Sequence, residues 1–269
     1  MRVALAQITS GPEPAANLTL LTSQAEEAAA AGAAVVVFPE ATMSWFATNP
    51  RHAAEPVDGP WSAAVVAIAA RLGITVVVGT FTRTEQDGDR VRNTLLVTDG
   101  HRTSRYDKIH LFDAFGQRES DAVVPGTAPL LETIDGVRTG LATCYDLRFP
   151  ELYKGHALAG AELIITPASW GAGPGKVEMW RTLAIARALD TTCWHLACGQ
   201  ADPSASGIEA QAGPPTGIGH SMVVSPLGEV VAEAGAGPEL LIVDIDPDAV
   251  VQARESLPVL ANTRLIHAD

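Results

Sequence analysis

Three residues in this sequence combine a reactive side chain with a place at the end of a buried strand. Glu40 directly follows Val35-Val36-Val37-Phe38-Pro39. A carboxylate there is open to desolvation, which raises a carboxyl pKa and makes it a better proton acceptor near neutral pH. The alternative is an exposed loop glutamate or a cap for the next helix. Cys144 closes Leu141-Ala142-Thr143 and precedes a helix start at Pro150. A helix N-terminus lowers a thiol pKa from about 8.5 by stabilising the thiolate. Free backbone N–H groups beyond it, Tyr145 first, could receive an oxyanion. The rival reading is a buried structural cysteine. Lys108 lies in Tyr106-Asp107-Lys108-Ile109-His110, in a chain with fifteen Arg but three Lys. Its compact, rotatable ammonium suits a developing oxyanion, although an isolated loop lysine is usually solvated. A carboxylate, an ammonium and a thiol are together the parts of an acyl-transfer site.

The three segments carry a resemblance. Phe38-Pro39-Glu40, Tyr106-Asp107-Lys108-Ile109-His110-Leu111-Phe112 and Cys144-Tyr145-Asp146-Leu147-Arg148-Phe149-Pro150-Glu151-Leu152 resemble, in order, the three signature segments of the carbon–nitrogen hydrolase (nitrilase) superfamily. The likeness runs from Val3 to about Ile245 and is closest to the Nit amidases, which include deaminated-glutathione amidase and ω-amidase. It implies Glu40 as base, Lys108 as oxyanion partner and Cys144 as nucleophile. Tyr145-Asp146 stands where true nitrilases usually have Trp-Glu, which favours amide over nitrile. Glu119, in Arg118-Glu119-Ser120, matches a second family glutamate that would orient Lys108 or the amine; its alternative is a loop carboxylate paired with Arg118. Arg148 matches a residue gripping a substrate carboxylate, unless it pairs with Asp146 or Glu151. Ala197-Cys198-Gly199-Gln200 leans the substrate towards deaminated glutathione, with a 2-oxo dicarboxylate monoamide second. The resemblance further implies a homodimer stacked through 150–159, 176–190 and the C-terminal tail from Val250. Rival functions are nitrile hydrolysis, acyl transfer to an amine, or a catalytically silent binding module.

Other signals add less. The seven His are scattered without HxH or HxxxH spacing, and no metal or cofactor is expected. Gly171-Ala172-Gly173-Pro174-Gly175 lacks the Gly-Lys-Ser/Thr ending of a phosphate loop and is read as a pocket-lining loop. Trp170, just before it, is a substrate wall or a core or interface tryptophan. Cys193 and Cys198 are five apart in one apolar run, so as strand residues they face opposite sides as core thiols.

The elements that must hold these residues alternate strand and helix. Strands are expected over 3–8, 34–38 and 74–80, and helices over 14–31 and 60–72, the latter stopped by Gly32 and Gly73. Asp99-Gly100 and Asp135-Gly136 mark hairpins, and 108–129 a long functional loop. The alternation resumes with helix 150–159, strand 163–166, helix 176–190 and strand 192–199. Residues 200–219 form a loop, and two strands flank Leu227-Gly228. A strand over 240–245 and a helix after Pro247 complete the chain. Residues 1–80 and 137–200 thus read as two related units. Two sheets packed face to face with helices outside, an α–β–β–α sandwich, would cover every sheet face and suit such continuously apolar strands.

The 269 residues, 47% hydrophobic and 18% charged, suffice for a single domain over 1–269 with a sizeable core. A net charge of −13 argues against nucleic acid or an anionic membrane as partner. The N-terminal apolar run is too short for a signal segment, and no stretch is long enough to span a membrane, so a cytoplasmic location is expected.

Overall fold

A computed structural model of the chain describes residues 1–209 and 213–264. The first half builds β1 (Arg2–Gln7), α1 (Pro14–Ala30), β2 (Val35–Val37), α2 (Pro60–Leu72), β3 (Thr75–Thr82), β4 (Arg92–Thr98) and β5 (Thr103–Asp107). The second half builds β6 (Leu130–Ile134), β7 (Val137–Leu141), α3 (Pro150–Leu158), β8 (Leu163–Ala168), α4 (Lys176–Thr191), β9 (Trp194–Gly199), β10 (Met222–Val224) and β11 (Val230–Glu233). β12 (Glu239–Asp244) and α5 (Ala249–Ser256) follow. Local chemistry sets several of these limits. Pro60 opens α2, where its missing N–H costs nothing, and Gly73 closes it in the left-handed conformation at φ 66°.

The strands form two six-stranded sheets, ordered β12-β1-β2-β3-β4-β5 and β11-β10-β9-β8-β7-β6. In the first, β1, β2 and β3 run parallel, and β4 returns antiparallel to β3. In the second, β7, β8 and β9 are parallel, and β10 returns antiparallel to β9. The two related units expected from sequence are therefore two equivalent half-sheets.

Alternation along each strand assigns its side chains to one of two layers. Val3, Leu5, Val35, Val37 and Val77 face Leu141, Leu163, Ile165 and Leu196 between the sheets. Ala4, Ala6, Val36, Val76 and Val78 face Leu21, Ala25, Trp61 and Val65 of α1 and α2. Ile164, Ala197 and Met222 face Tyr153, Trp180 and Ala184 of α3 and α4. This is the expected α–β–β–α sandwich. Cys198 lies in the inter-sheet layer and Cys193 in the helix-side layer, both as buried free thiols.

The long segments contain more order than their sequence suggested. Glu119–Asp121 and Pro203–Ser206 are 3-10 turns inside the expected loops. The part of the 200–219 loop at 210–212, and the last five residues of the C-terminal tail, lie outside the described residues. Among the described residues no helix is long and apolar enough to cross a membrane.

Candidate active site

The segments after β2, β5 and β7 converge where the two sheets meet. After β2 the chain turns sharply, with Ala41 at φ 59°. Gly79 on β3 permits this turn: a Cβ there would lie 2.6 Å from Pro39 O, Glu40 Cα and Ala41 N. Glu40 is thereby pressed into the interior with no exposure. Its Oε1 accepts from Asn93 Nδ2 (2.8 Å) and Lys108 Nζ (2.9 Å), and its Oε2 from the Ser169 backbone N–H (2.8 Å). Ser169 follows β8, so this last bond joins the two half-sheets.

Lys108 is the first residue after β5 and is 2% exposed. Besides Glu40, its Nζ donates to Glu119, at 2.9 Å to Oε2 and 3.2 Å to Oε1. Burial works against the ammonium charge, but Glu119 and Glu40 outweigh it and hold the Lys108 pKa well above its ordinary value. Glu119 also accepts from the Phe112 backbone N–H at 2.7 Å and from Asn93 at 2.9 Å. The alternative pairing of Glu119 with Arg118 does not form; Arg118 reaches Asp121 at 3.4 Å.

Cys144 corrects one sequence expectation. It opens a 3-10 turn over Cys144–Arg148, and α3 begins only at Pro150, beyond direct reach of the thiol. Burial, then the neighbouring Glu40 carboxylate, pushes the Cys144 pKa well above the ordinary thiol value, with Lys108 only partly opposing. The thiol is therefore protonated at rest rather than poised as a thiolate. Its φ of 47° is one that L-residues rarely adopt and that costs about 1–3 kcal/mol at a non-glycine position. Sγ lies 3.8 Å from Ser169 O.

Glu40, Lys108, Glu119 and Cys144 line one cavity of about 340 Å³, with Tyr145, Arg148 and Trp170 in its wall. Gly171, Ala172, Gly173 and Pro174 also line it, as the sequence suggested. Trp170 is both wall and core, being 5% exposed and tilted against Trp180 at 5.3 Å. Arg148 pairs with neither Asp146 nor Glu151. Its guanidinium contacts Met179 Sδ and lies 5.4 Å from the Trp170 ring centroid and 6.0 Å from that of Tyr145. Among the described residues it has no carboxylate within 4.0 Å. No group of three His, Cys, Asp or Glu among them could hold a metal ion.

Sequence reasoning passed over Asn93, which donates to both Glu40 and Glu119. The available signal was an amide inside the expected strand, next to Thr94-Leu95-Leu96-Val97, since asparagine is depleted from strands. It also passed over Asp146, whose four donors come from Tyr106, His110 and Thr143. Chemically, this arrangement can move a proton between a thiol and a buried carboxylate beside an ammonium.

Comparison with known proteins gives the family. A hydrolase of Mycobacterium tuberculosis, Rv0480c, is 54% identical over 268 residues, covering 97% of this chain and 95% of the relative. Deaminated glutathione amidase of Rattus norvegicus is 35% identical, covering 97% and 82%. The solved structure of an amidase from Nesterenkonia sp. AN1, of the nitrilase superfamily, superposes with a TM-score of 0.78 at 27% identity, covering 96% of this chain and 98% of that one. That structure is of a mutant of the amidase, with acrylamide added at its active-site cysteine. Residues 2–255 match the carbon–nitrogen hydrolase family, and with these relatives they establish that this chain belongs to it.

Proposed function

We propose that this carbon–nitrogen hydrolase cleaves a small carboxylate-bearing amide through a thioester on Cys144, in the manner of a deaminated glutathione amidase. The observation that carries the reading is Lys108 Nζ held between two carboxylates, the buried Glu40 and the partly buried Glu119, in the wall that also holds Cys144.

In this reading each step is assigned a residue. As the amide carbonyl approaches, Glu40 takes the thiol proton and Sγ forms a bond to the carbonyl carbon. Because burial keeps the thiol neutral at rest, proton transfer accompanies attack. Two N–H bonds of Lys108 are spent on its glutamates; the third and the Tyr145 backbone N–H receive the oxyanion. The tetrahedral intermediate collapses, the C–N bond breaks, and Glu40 returns the proton to the leaving amine. Glu40 then takes a proton from water, whose oxygen attacks the thioester; the acid leaves and the thiol is restored. Glu119 holds Lys108 in place throughout.

Arg148 supplies the substrate preference. An unpaired guanidinium in a cavity wall can grip a carboxylate through two parallel hydrogen bonds. In a chain of net charge −13 the overall field does not gather anions, so a local anchor is needed. The name of the rat relative favours deaminated glutathione, with 2-oxoglutaramate second. The test compares both with a neutral amide of similar size on wild type and Arg148→Ala. A neutral amide preferred by wild type, with the order unchanged in Arg148→Ala, contradicts the carboxylate anchor.

The protein is further proposed to be a cytoplasmic, single-domain homodimer. Leu158, Leu189, Val251 and Leu257 stand exposed on or beside α3, α4 and α5, an apolar set suited to a symmetric contact. Light scattering should give a dimer; a stable monomer at micromolar concentration contradicts it.

A further inference from the structure

The cavity wall holds a third cation, which the reaction above leaves unassigned. Lys176, the first residue of α4, is half-buried in that wall, with Nζ 4.5 Å from the centroid of the Phe115 ring. Phe115 is 79% exposed, which places Lys176 at the mouth. A run of aromatic contacts leads inward from there. Phe115 packs on Phe112 at 6.3 Å, and Phe112 meets Tyr145, the residue after the nucleophile, at 5.1 Å. Arg148 lies against Tyr145 and Trp170 at the inner end of that run. Besides the glutamate-paired Lys108, the cavity therefore carries one cation inside and one at its mouth, with Cys144 in the wall they share.

Neither cation has a carboxylate within 4.0 Å among the described residues. Glu178, the acidic residue nearest Lys176 in sequence on α4, is turned to Arg181 at 3.8 Å. The chain has three lysines, and two of them, Lys108 and Lys176, line this one cavity. A chain with 31 acidic and 18 basic residues leaves Arg148 and Lys176, two cations of one cavity, without acidic partners among the described residues.

The order of bond breaking distinguishes the two ends. In thioester chemistry the acyl half stays on sulfur while the amine departs first, so the amine half lies towards the mouth. We infer that Lys176 is a second anion anchor, receiving a carboxylate carried by the leaving amine while Arg148 receives one on the acyl half. The inference rests on the amidase reading and narrows it to N-acyl amino acids or short N-acyl peptides with a second carboxylate on the acyl chain. A flexible ammonium against an aromatic face suits this duty, because it accepts leaving groups of differing length where a rigid guanidinium fork demands one geometry.

The test sets N-glutarylglycine, with a carboxylate on each half, against glutaramate, with a carboxylate on the acyl half alone. Both are assayed on wild type, Lys176→Gln and Lys176→Glu. The ratio of kcat/KM for N-glutarylglycine to that for glutaramate is expected to fall about tenfold in Lys176→Gln, the size of one charged contact, and further in Lys176→Glu. The change should enter through KM. A ratio that does not move overturns the assignment. Calorimetric binding of N-glutarylglycine to Cys144→Ala, with and without Lys176→Gln, decides it independently of turnover. Affinity weakened about tenfold by Lys176→Gln supports the anchor; equal affinity, or no binding to Cys144→Ala, overturns it. Hydrolysis of neither amide by wild type would count against the amidase reading, and the calorimetry would still judge Lys176.

Discussion

Tyr106 donates a 2.6 Å hydrogen bond to Asp146 Oδ2, joining the end of β5 in one sheet to the turn after β7 in the other. The Thr143 backbone N–H reaches the same oxygen at 2.8 Å. His110 donates to Oδ1 through its backbone N–H (3.0 Å) and Nδ1 (2.7 Å). Tyr106 and His110 bracket Lys108, while Thr143 and Asp146 bracket Cys144. Asp146, with no exposure, thus fixes the position of the ammonium relative to the thiol. Burial and Asp146 itself hold the Tyr106 phenol well above its ordinary pKa, so it remains a donor.

Tyr106→Phe removes one of four donors to a buried carboxylate and is expected to lower stability by about 1–3 kcal/mol. Because the bond sets the spacing of reacting groups, kcat should fall about 10- to 100-fold with KM little changed. Steady-state kinetics beside a urea melt checks both. A wild-type kcat would show that the clamp does not set the site's geometry.

Lys108→Arg keeps the charge and loses the compact fit between Glu40 and Glu119. Turnover should drop by about 10²–10³, the usual loss for an oxyanion donor. Near-wild-type kcat/KM in Lys108→Arg would mean that this ammonium does not serve the reaction.

Stability should fall as pH drops below neutral, for a reason away from the site. His195 is buried, donates through Nδ1 to Ala184 O, and accepts at Nε2 from Thr166 Oγ1. Burial lowers its pKa from 6.5 to about 4, and lowers that of His156 as well. In both cases the unfolded chain takes up the proton first; for His195, stability therefore rises with pH between about 4 and 6.5 and falls on acidification through that window. For His195 the full span amounts to about 3 kcal/mol. Urea unfolding at pH 7 and pH 5 should show the slope, reduced in His195→Asn. An identical slope in that variant refutes the assignment.

How much of this was legible in the sequence follows from the range of the forces involved. α2 was readable to the residue because Pro60 and Gly73 act locally on their own backbone. The layers were readable because continuously apolar strands need cover on both faces. Glu40, Lys108 and Cys144 each stood out as a reactive group at a strand end. The direction of the thiol's pKa shift was not legible because its dominant causes, burial and Glu40, come from chain segments far from Cys144. Asn93 and the Asp146 clamp were hidden for the same reason: their partners lie 26 to 53 and 36 to 40 residues away, apart from Thr143. Lys176 gave no local sign at all, since its meaning depends on Phe115 and on sharing a cavity wall with Arg148.

The central claim is that Cys144 carries the acyl group. Its most direct measurement is mass spectrometry of wild type mixed with its best amide substrate and quenched in acid during turnover. The protein should gain the mass of the acyl half alone, on the peptide containing Cys144. Cys144→Ala should melt like wild type, form no adduct and release no amine. An adduct on another residue, or a well-folded Cys144→Ala that still turns over, would contradict the account.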